Sequence, residues 1–249
     1  MGIFKWFGNI IDYIFNPNEY ADKGKAGERH IYRELKRHFP AEQIFRNVYL
    51  MKEDNRYTEI DMILVTQKGV FVLESKNYSG WVFASEDNER WFQRFKNGTI
   101  FPFLSPIIQN DIHIDSLKYN LFKYNSLPYF SIIVFGDRCH LAGKFEENEY
   151  IYVVNQSELI CTINNIMRHR NDVLVTNDID YIINILSKFQ RPNIHIRKQH
   201  ISALKKSVGK CHYCNGDVIE RINSQTKEIF YGCARYPDCK FTTKSLINL

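Results

Sequence analysis

The chain has 249 residues, 44% of them hydrophobic and 14% aromatic, and a net charge of +5. This composition can bury a full core, which excludes a disordered protein and predicts one main domain with a small appendage. The longest apolar run falls short of the roughly 20 residues that a membrane span needs, and no signal peptide is visible, so we expect a cytoplasmic protein.

The N-terminal segment repeats apolar side chains at helical spacing, at Ile3, Phe7, Ile10 and Ile14. We therefore predict an amphipathic helix within residues 1–20. Its apolar stripe could pack on its own domain, on a second copy of the chain as a homo-oligomer contact, or against a membrane surface. The sequence leaves these alternatives open.

A second helix is predicted from Lys25 to Phe39, because Ile31 and Leu35 form one stripe and a proline follows. Glu28 lies on the same stripe and should point inward, where a carboxylate needs a cation or a hydrogen-bond donor. The alternative is a first-turn glutamate that the helix dipole favours. A strand is expected next, from Gln43 to Leu50.

Residues 59–76 have the pattern of a β-hairpin, with two apolar runs around a turn. The expected register places Asp61 opposite Glu74, and Glu59 opposite Lys76, at the far end of an apolar face. Like charges directly opposite are destabilising, so Asp61 and Glu74 call for a cation such as Mg²⁺. Lys76 could then position water or stabilise charge on a phosphate. The alternative is a solvated hairpin end on which Lys76 simply pairs with an acid.

Short extended runs follow the hairpin, separated by breaks that suit tight turns. They are Trp81–Ala84, Arg90–Phe95 and Thr99–Leu104. Ser105-Pro106 then predicts the start of a helix that reaches about Tyr124. Gln109, His113 and Ser116 form a polar stripe of this helix, which we expect to face solvent.

The remaining part of the main domain alternates strands with helices. Strands are predicted at Phe130–Phe135 and Ile151–Val154, and helices from about Ser157 and from about Asn177 to Gln190. This order predicts an α/β fold in which a mixed central sheet is flanked by helices.

The C-terminal part carries the most specific local pattern, with Cys211 and Cys214 followed by Cys233 and Cys239. Four thiolates in two knuckles match a tetrahedral structural Zn²⁺ site, and so short a module needs the metal to fold. We predict a small zinc ribbon over residues 211–249, after a basic linker over residues 191–210.

The basic charge is concentrated in the same region. Residues 191–249 carry 11 Lys and Arg against 4 Asp and Glu, or +7, whereas residues 1–190 carry 22 against 24, or −2. A field of this sign attracts nucleic acid, and aromatic side chains among the basic ones could stack on bases. The candidate DNA-binding residues are Lys210, Tyr213, Arg221, Lys227, Tyr231, Arg235, Tyr236, Lys240, Phe241 and Lys244.

Gly27-Glu28, Glu59-Ile60-Asp61, Glu74-Ser75-Lys76 and Gln109 together resemble the nuclease-related domain (NERD) family, over about residues 20–135. The resemblance implies a PD-(D/E)xK, restriction-endonuclease-like fold for a domain at residues 21–190 that includes a C-terminal α/β extension. It also implies the site residues. Glu28, Asp61 and Glu74 would hold a catalytic Mg²⁺ or Mn²⁺, Lys76 would be the catalytic lysine, and Gln109 would be the family's glutamine.

Residues 211–241 resemble the four-cysteine zinc finger at the C-terminus of bacterial type I DNA topoisomerases, down to Phe230-Tyr231-Gly232-Cys233 and Tyr236-Pro237-Asp238-Cys239. The two resemblances favour a metal-dependent deoxyribonuclease that acts on single- or double-stranded DNA and uses its zinc finger for affinity. The alternative is a non-catalytic DNA-binding adaptor on the same fold. Metal-dependent cleavage by the purified protein would separate the two functions.

Overall fold

The computed structural model describes residues 17–53, 56–84, 90–145, 147–190, 207–211, 216–222, 229–236 and 239–243. The backbone contacts divide the chain into two compact units, Met1–Arg191 and Pro192–Leu249. The amphipathic helix predicted within residues 1–20 falls outside these ranges except for residues 17–20, which begin another helix. No helix in the described part of the chain is long and apolar enough to cross a membrane.

The first unit contains four described helices, α1 to α4, and nine strands, β1 to β9. The helices are α1 (Pro17–His38), α2 (Pro106–Asn120), α3 (Leu159–His169) and α4 (Thr176–Phe189). The strands are β1 (Ile44–Met51), β2 (Tyr57–Thr66), β3 (Gly69–Lys76), β4 (Gly80–Ala84), β5 (Arg90–Arg94), β6 (Ile100–Leu104), β7 (Tyr129–Phe135), β8 (Cys139–Leu141) and β9 (Ile151–Asn155). Short 3₁₀ turns occupy Ala41–Gln43, Phe122–Tyr124 and Gln156–Glu158.

Helix α1 begins at Pro17 and not at the predicted Lys25. Proline suits the first turn of a helix, because its fixed φ is helical and its missing N–H would have no partner there. Apolar periodicity could detect only the part of α1 that packs on the sheet, where Ile31 and Leu35 are fully buried.

A five-stranded sheet in the order β1-β2-β3-β7-β9 forms the centre of the first unit. Strands β1, β2 and β3 are antiparallel, whereas β3, β7 and β9 are parallel, so the sheet is mixed as predicted. The hairpin register is as predicted near the turn, with Val65 opposite Val70 and Ile63 opposite Val72. The ladder ends at Met62 and Leu73, so it does not include the predicted pairs of Asp61 with Glu74 and of Glu59 with Lys76.

Helices cover both faces of this sheet. On one face, Ile63 and Val72 belong to the core that includes Leu117 of α2 and Ile182 of α4. On the other face, strand residues pack with α1 and α3 in a second core, which includes Ile31, Leu64, Phe71, Leu73, Ile163 and Ile166. Strands buried on both faces are apolar at nearly every position, as β7 is along its length and β3 is up to Leu73.

A second, four-stranded sheet has the order β6-β5-β4-β8. Strands β4, β5 and β6 are inserted between β3 and α2, and β8, which follows β7, completes this inserted sheet. Its inner face carries Val82 and Trp91, which pack in a third core with Phe135 of β7 and Ile107 of α2. Strand β8 was not predicted, because three residues are too few to show a periodicity.

The second unit is a small antiparallel sheet of four described strands in the order β10-β11-β12-β13. They span β10 (Ser207–Lys210), β11 (Asp217–Ile222), β12 (Ile229–Cys233) and β13 (Thr242–Thr243). The predicted linker thus ends in a strand, since β10 occupies its last four residues. The fold is the predicted one, an α/β domain with a mixed sheet and a C-terminal zinc ribbon.

Candidate functional site

Asp61 occupies a gap in the hydrogen bonding of two strand pairs. The β2–β3 ladder ends at Met62 and Leu73, and beyond it the Ser75 N–H donates to Asp61 Oδ2 at 2.9 Å. On the other side, the β1–β2 ladder skips Asn47, which has a left-handed φ of 50°. Asparagine tolerates this conformation better than most residues, and such strain is concentrated at functional sites. The local backbone thus presents the Asp61 carboxyl group.

The environment of Asp61 disfavours its ionised form. Burial raises the pKa of Asp61 well above its usual value, and the negative charge of Glu74 raises it further. The Ser75 N–H and the Lys76 ammonium oppose this only partly. Within the described residues, Asp61 Oδ1 has no hydrogen-bond partner. A carboxyl group in these surroundings holds either a proton or a cation.

Glu74 and Lys76 form an ion pair at the end of β3, in which Glu74 is buried and the Lys76 side chain is 16% exposed. Lys76 Nζ lies 2.6 Å from Glu74 Oε1 and also donates to Gln109 Oε1 at 2.9 Å. Burial alone would raise the pKa of Glu74, but the charge of Lys76 and the approach of His113 outweigh it, so this pKa is lowered. Burial would lower the pKa of Lys76, but the Glu74 carboxylate raises it. The pair is therefore ionised at neutral pH, unlike a solvated hairpin end.

His113 is a site residue that we did not predict. Its side chain is 4% exposed, and its Nδ1 lies 2.9 Å from Thr58 Oγ1. Its Nε2 lies 3.3 Å from Glu74 Oε2, poorly aligned for a hydrogen bond, and neither atom has another hydrogen-bond partner within the described residues. His113 therefore approaches the second oxygen of Glu74 while Lys76 holds the first.

The prediction that the polar stripe of α2 faces solvent was wrong. His113 and Ser116 are each 3% exposed, and Gln109 is half-buried. The stripe faces inward because α2 crosses the sheet beside β3. A signal was available, since residues four apart share a helix face and the resemblance already placed Gln109 in the site.

Gly27 lets α1 pass close to the end of β3. A Cβ at this position would lie 3.2 Å from both Ser75 Oγ and Asn77 Cβ, tighter than an ordinary contact. The next residue, Glu28, is half-buried, and its Oε2 accepts a hydrogen bond from Asn47 Nδ2 at 3.4 Å. As predicted, Glu28 points inward from the stripe of α1. The same amide donates to Glu59 Oε1 at 3.2 Å.

The three carboxylates predicted to hold a metal lie in one region, but they do not converge as a set. Within the described residues, Glu28, Asp61 and Glu74 do not form a group whose ligand oxygens all lie within 4.8 Å of one another. Asp61 fits a divalent cation best, because it combines an oxygen without a partner with neighbouring negative charge. Glu74 fits it less readily, because Lys76 and His113 approach its two oxygens.

The zinc ribbon brings three of its cysteines together. The sulfurs of Cys211, Cys233 and Cys239 lie within 4.8 Å of one another, and those of Cys211 and Cys239 are 3.5 Å apart. Thiolates around a tetrahedral zinc ion with Zn–S bonds of about 2.3 Å lie about 3.8 Å apart, so the cluster suits structural Zn²⁺. The Arg235 N–H donates to Cys233 Sγ at 3.4 Å. The fourth predicted ligand, Cys214, lies outside the described residues.

The candidate DNA-binding residues fall into three groups. Arg235, Tyr236 and Lys240 are exposed. Tyr231 and Phe241 pack against the cysteine cluster, and Arg221 Nη2 donates to the Cys233 carbonyl at 3.2 Å beside the Tyr236 ring. Lys210 lies on β10, whereas Tyr213, Lys227 and Lys244 lie outside the described residues.

Comparison with known proteins identifies both modules. The nuclease-related domain family matches residues 23–136, and the topoisomerase DNA-binding C4 zinc finger family matches residues 208–247. An uncharacterized protein of Bacillus anthracis is 30% identical over 191 residues, which cover 76% of this chain and 86% of that protein. No solved structure matches the chain significantly. The chain belongs to the nuclease-related domain family and ends in a topoisomerase-type C4 zinc ribbon.

Proposed function

We propose that this protein is a metal-dependent nuclease that hydrolyses phosphodiester bonds in DNA. The observation that carries the proposal is the pairing of Asp61, a half-buried acid with an oxygen available to a cation, with the Glu74–Lys76 ion pair at the same end of β3. A structural ion pair would not need the second acid, because burying Asp61 beside Glu74 costs stability. Acids kept in such surroundings are concentrated at functional sites.

The site residues have distinct roles in this proposal. Asp61 would hold Mg²⁺ or Mn²⁺ together with Glu74 and Glu28, and a metal in this position supplies an activated water and neutralises phosphate charge. Lys76 stabilises charge that develops on the phosphate or positions the attacking water. Gln109 orients Lys76, since its Oε1 accepts from Nζ at 2.9 Å. We assign catalysis to the domain at residues 21–190.

We assign DNA affinity to the zinc ribbon and the basic segment before it. The net charge of +7 in residues 191–249 and the exposed Arg235, Tyr236 and Lys240 support this assignment. Because neutralised phosphates release counterions, binding should weaken steeply with salt. Truncation after Arg191 is expected to lower the affinity for DNA and to flatten its salt dependence. Equal affinity of the truncated protein at the same salt would assign the ribbon to another partner.

The direct test of catalysis is a cleavage assay with Mg²⁺, Mn²⁺ or EDTA on plasmid and single-stranded DNA. Wild-type protein should cleave with a metal and not in EDTA, whereas Asp61→Asn should be inactive while binding DNA as the wild type does. Asp115→Asn is a matched control, because Asp115 is an exposed acid on α2. Cleavage that survives in Asp61→Asn would refute the assigned chemistry.

A second candidate function is a non-catalytic DNA-binding adaptor, and two observations favour it. Lys76 and His113 approach both oxygens of Glu74, and the three predicted ligands do not converge at ligand distances. An adaptor would bind DNA with the same salt dependence and leave it intact with every metal tested.

A further inference from the structure

The outer face of the inserted sheet carries aromatic and basic side chains in matched rows. One row places Trp81 between His140 and Arg94. The next row places Phe83 opposite Phe92. We call this surface the aromatic face, and its described side chains are Trp81, Phe83, Arg90, Phe92, Arg94, Ile100, Pro102, Leu104 and His140.

The aromatic face is accessible and lies apart from the core. Arg94, Pro102 and His140 are exposed, and Trp81, Phe83 and Phe92 are half-buried. None of these side chains belongs to the hydrophobic clusters of the described residues. Burying these rings is not needed to hold the sheet, because its inner face already packs through Val82 and Trp91.

The chemistry of this face suits unpaired bases. The ring centroids of Phe83 and Phe92 lie 5.4 Å apart at an interplanar angle of 20°, and those of Trp81 and His140 lie 5.6 Å apart at 29°. The Arg94 guanidinium lies 5.3 Å from the centroid of the Trp81 ring. Among its described side chains, the face carries two arginines and no acid. Aromatic rings beside cations bind single-stranded nucleic acid by stacking and phosphate neutralisation.

The aromatic face and the candidate active site are also joined by short segments of the chain. The inserted sheet begins at Gly80, four residues after Lys76, so the two lie within about 14 Å of each other. It leads through β6 into α2, which carries Gln109, and Gln109 is hydrogen-bonded to Lys76. A strand that lies on the aromatic face could therefore continue into the site.

We propose that the aromatic face binds a single-stranded segment of nucleic acid by stacking its bases on Trp81 and Phe92. The role of this face in presenting substrate rests on the proposed nuclease function. Within that function, the inference assigns unpaired DNA as the preferred substrate. Stacking needs exposed base faces, which an intact duplex does not offer. Arg94 supplies charge for the phosphates beside the stacked bases.

The experiment measures binding by the full chain in EDTA, so that its result does not depend on cleavage. The probes are fluorescent oligothymidylate and a duplex of equal length. The double variant Trp81→Ala/Phe92→Ala should bind oligothymidylate at least fivefold more weakly than wild type and bind the duplex within about twofold. Phe122→Ala is the control, because Phe122 is a 78%-exposed aromatic outside this face.

Trp81→Phe gives a local readout that a folding defect would not produce. Phenylalanine keeps a ring for stacking, so the affinity for oligothymidylate should be retained. DNA quenches tryptophan fluorescence in part at residue 81, and this part of the quenching should be lost. Quenching unchanged in Trp81→Phe, or oligothymidylate affinity unchanged in the double variant, would overturn the proposal. An equal loss for duplex and single strand, or a change only in self-association, would also overturn it. If wild type binds oligothymidylate through this face but cleaves nothing, the nuclease proposal fails and the binding site stands.

Discussion

His113 Nε2 lies 3.3 Å from Glu74 Oε2, and the same ring is anchored through Nδ1 to Thr58 Oγ1 at 2.9 Å. The imidazole thus ties β2 and α2 to the carboxylate at the end of β3. With Lys76 on the other oxygen, this contact fixes the orientation of Glu74, and it makes the position of a site acid depend on a helix that is distant in sequence.

His113→Leu should therefore lower the rate of metal-dependent cleavage. It should also raise the Mg²⁺ concentration needed for half-maximal cleavage, because Glu74 loses a restraint. Thr58→Val should have a smaller effect of the same kind, since it removes only the anchor of the ring. Mg²⁺ titrations of the cleavage rate test both, with Thr162→Val as a control that removes a half-buried hydroxyl from α3, outside the site. If cleavage and its Mg²⁺ dependence match wild type in His113→Leu, His113 only fills space.

Asp61→Asn should stabilise the metal-free protein at neutral pH, because ionised Asp61 lies beside Glu74. The folded pKa of Asp61 is raised above the unfolded value of about 3.9. The contribution of Asp61 to the stability of the wild type therefore falls as the pH rises from the unfolded pKa through the folded pKa. Asparagine does not titrate, so the variant lacks this loss. The gain in Tm should be absent at the acid end and grow with pH. Thermal melts in EDTA from about pH 4 to neutral pH measure this gain in Tm. A gain that shrinks as the pH rises would contradict the prediction.

Glu74→Gln should have the opposite effect on stability, because it leaves the largely buried Lys76 ammonium without its charged partner. Breaking a buried ion pair on one side costs about 3–5 kcal/mol. The folded pKa of Glu74 is lowered, so its contribution is present above the unfolded value of about 4.3 and is lost as the pH falls through the folded pKa. Urea unfolding at neutral and acid pH should show a deficit that narrows toward acid. A stabilised Glu74→Gln would show that the ion pair is not maintained.

Gly27→Ala should impair cleavage more than stability. Alanine gains about 1 kcal/mol of helix propensity over glycine, but its Cβ would lie 3.2 Å from Ser75 Oγ and Asn77 Cβ, so these side chains or α1 must shift by a few tenths of an ångström. We expect α1 to shift. Glu28 would move with the helix, whereas the core contacts of Ile31 and Leu35 could adjust. Paired melts and cleavage assays measure the two effects, with Lys25→Ala at an exposed position of the same helix as control. Unchanged cleavage would mean that the position of Glu28 is not critical.

Removal of zinc should unfold the ribbon and spare the first unit. Cys211→Ser with Cys214→Ser should abolish stoichiometric zinc, because the module has too small a core to fold without the ion. Elemental analysis should find one zinc ion per wild-type chain, and limited proteolysis should remove the C-terminal part of the variant only. Protein purified without chelator that contains no zinc would contradict the prediction.

The sequence alone determined the features that depend on local order and spacing. Alternating apolar residues specified the β2–β3 hairpin and its register, so the pairing of Ile63 with Val72 followed directly. The position of Glu28 on the stripe of Ile31 and Leu35 showed that it points inward, as its contact with Asn47 confirms. The cysteine spacing identified the zinc ribbon, because metal ligands must recur at defined intervals.

Only the tertiary structure decided what each site residue contacts. The sequence could place Asp61 near Glu74, but it could not show their electrostatics. Burial and the charge of Glu74 raise the pKa of Asp61. Lys76 and His113 lower the pKa of Glu74. The sequence misplaced His113, because the packing of α2 against β3 and β7, and not its polarity, turns the Gln109 stripe inward. Neither Asn47 nor the aromatic face could be assigned, since a left-handed φ and the neighbours of an inserted sheet arise from contacts between distant segments. Long-range packing sets the local electrostatics, and these electrostatics govern the chemistry of the site.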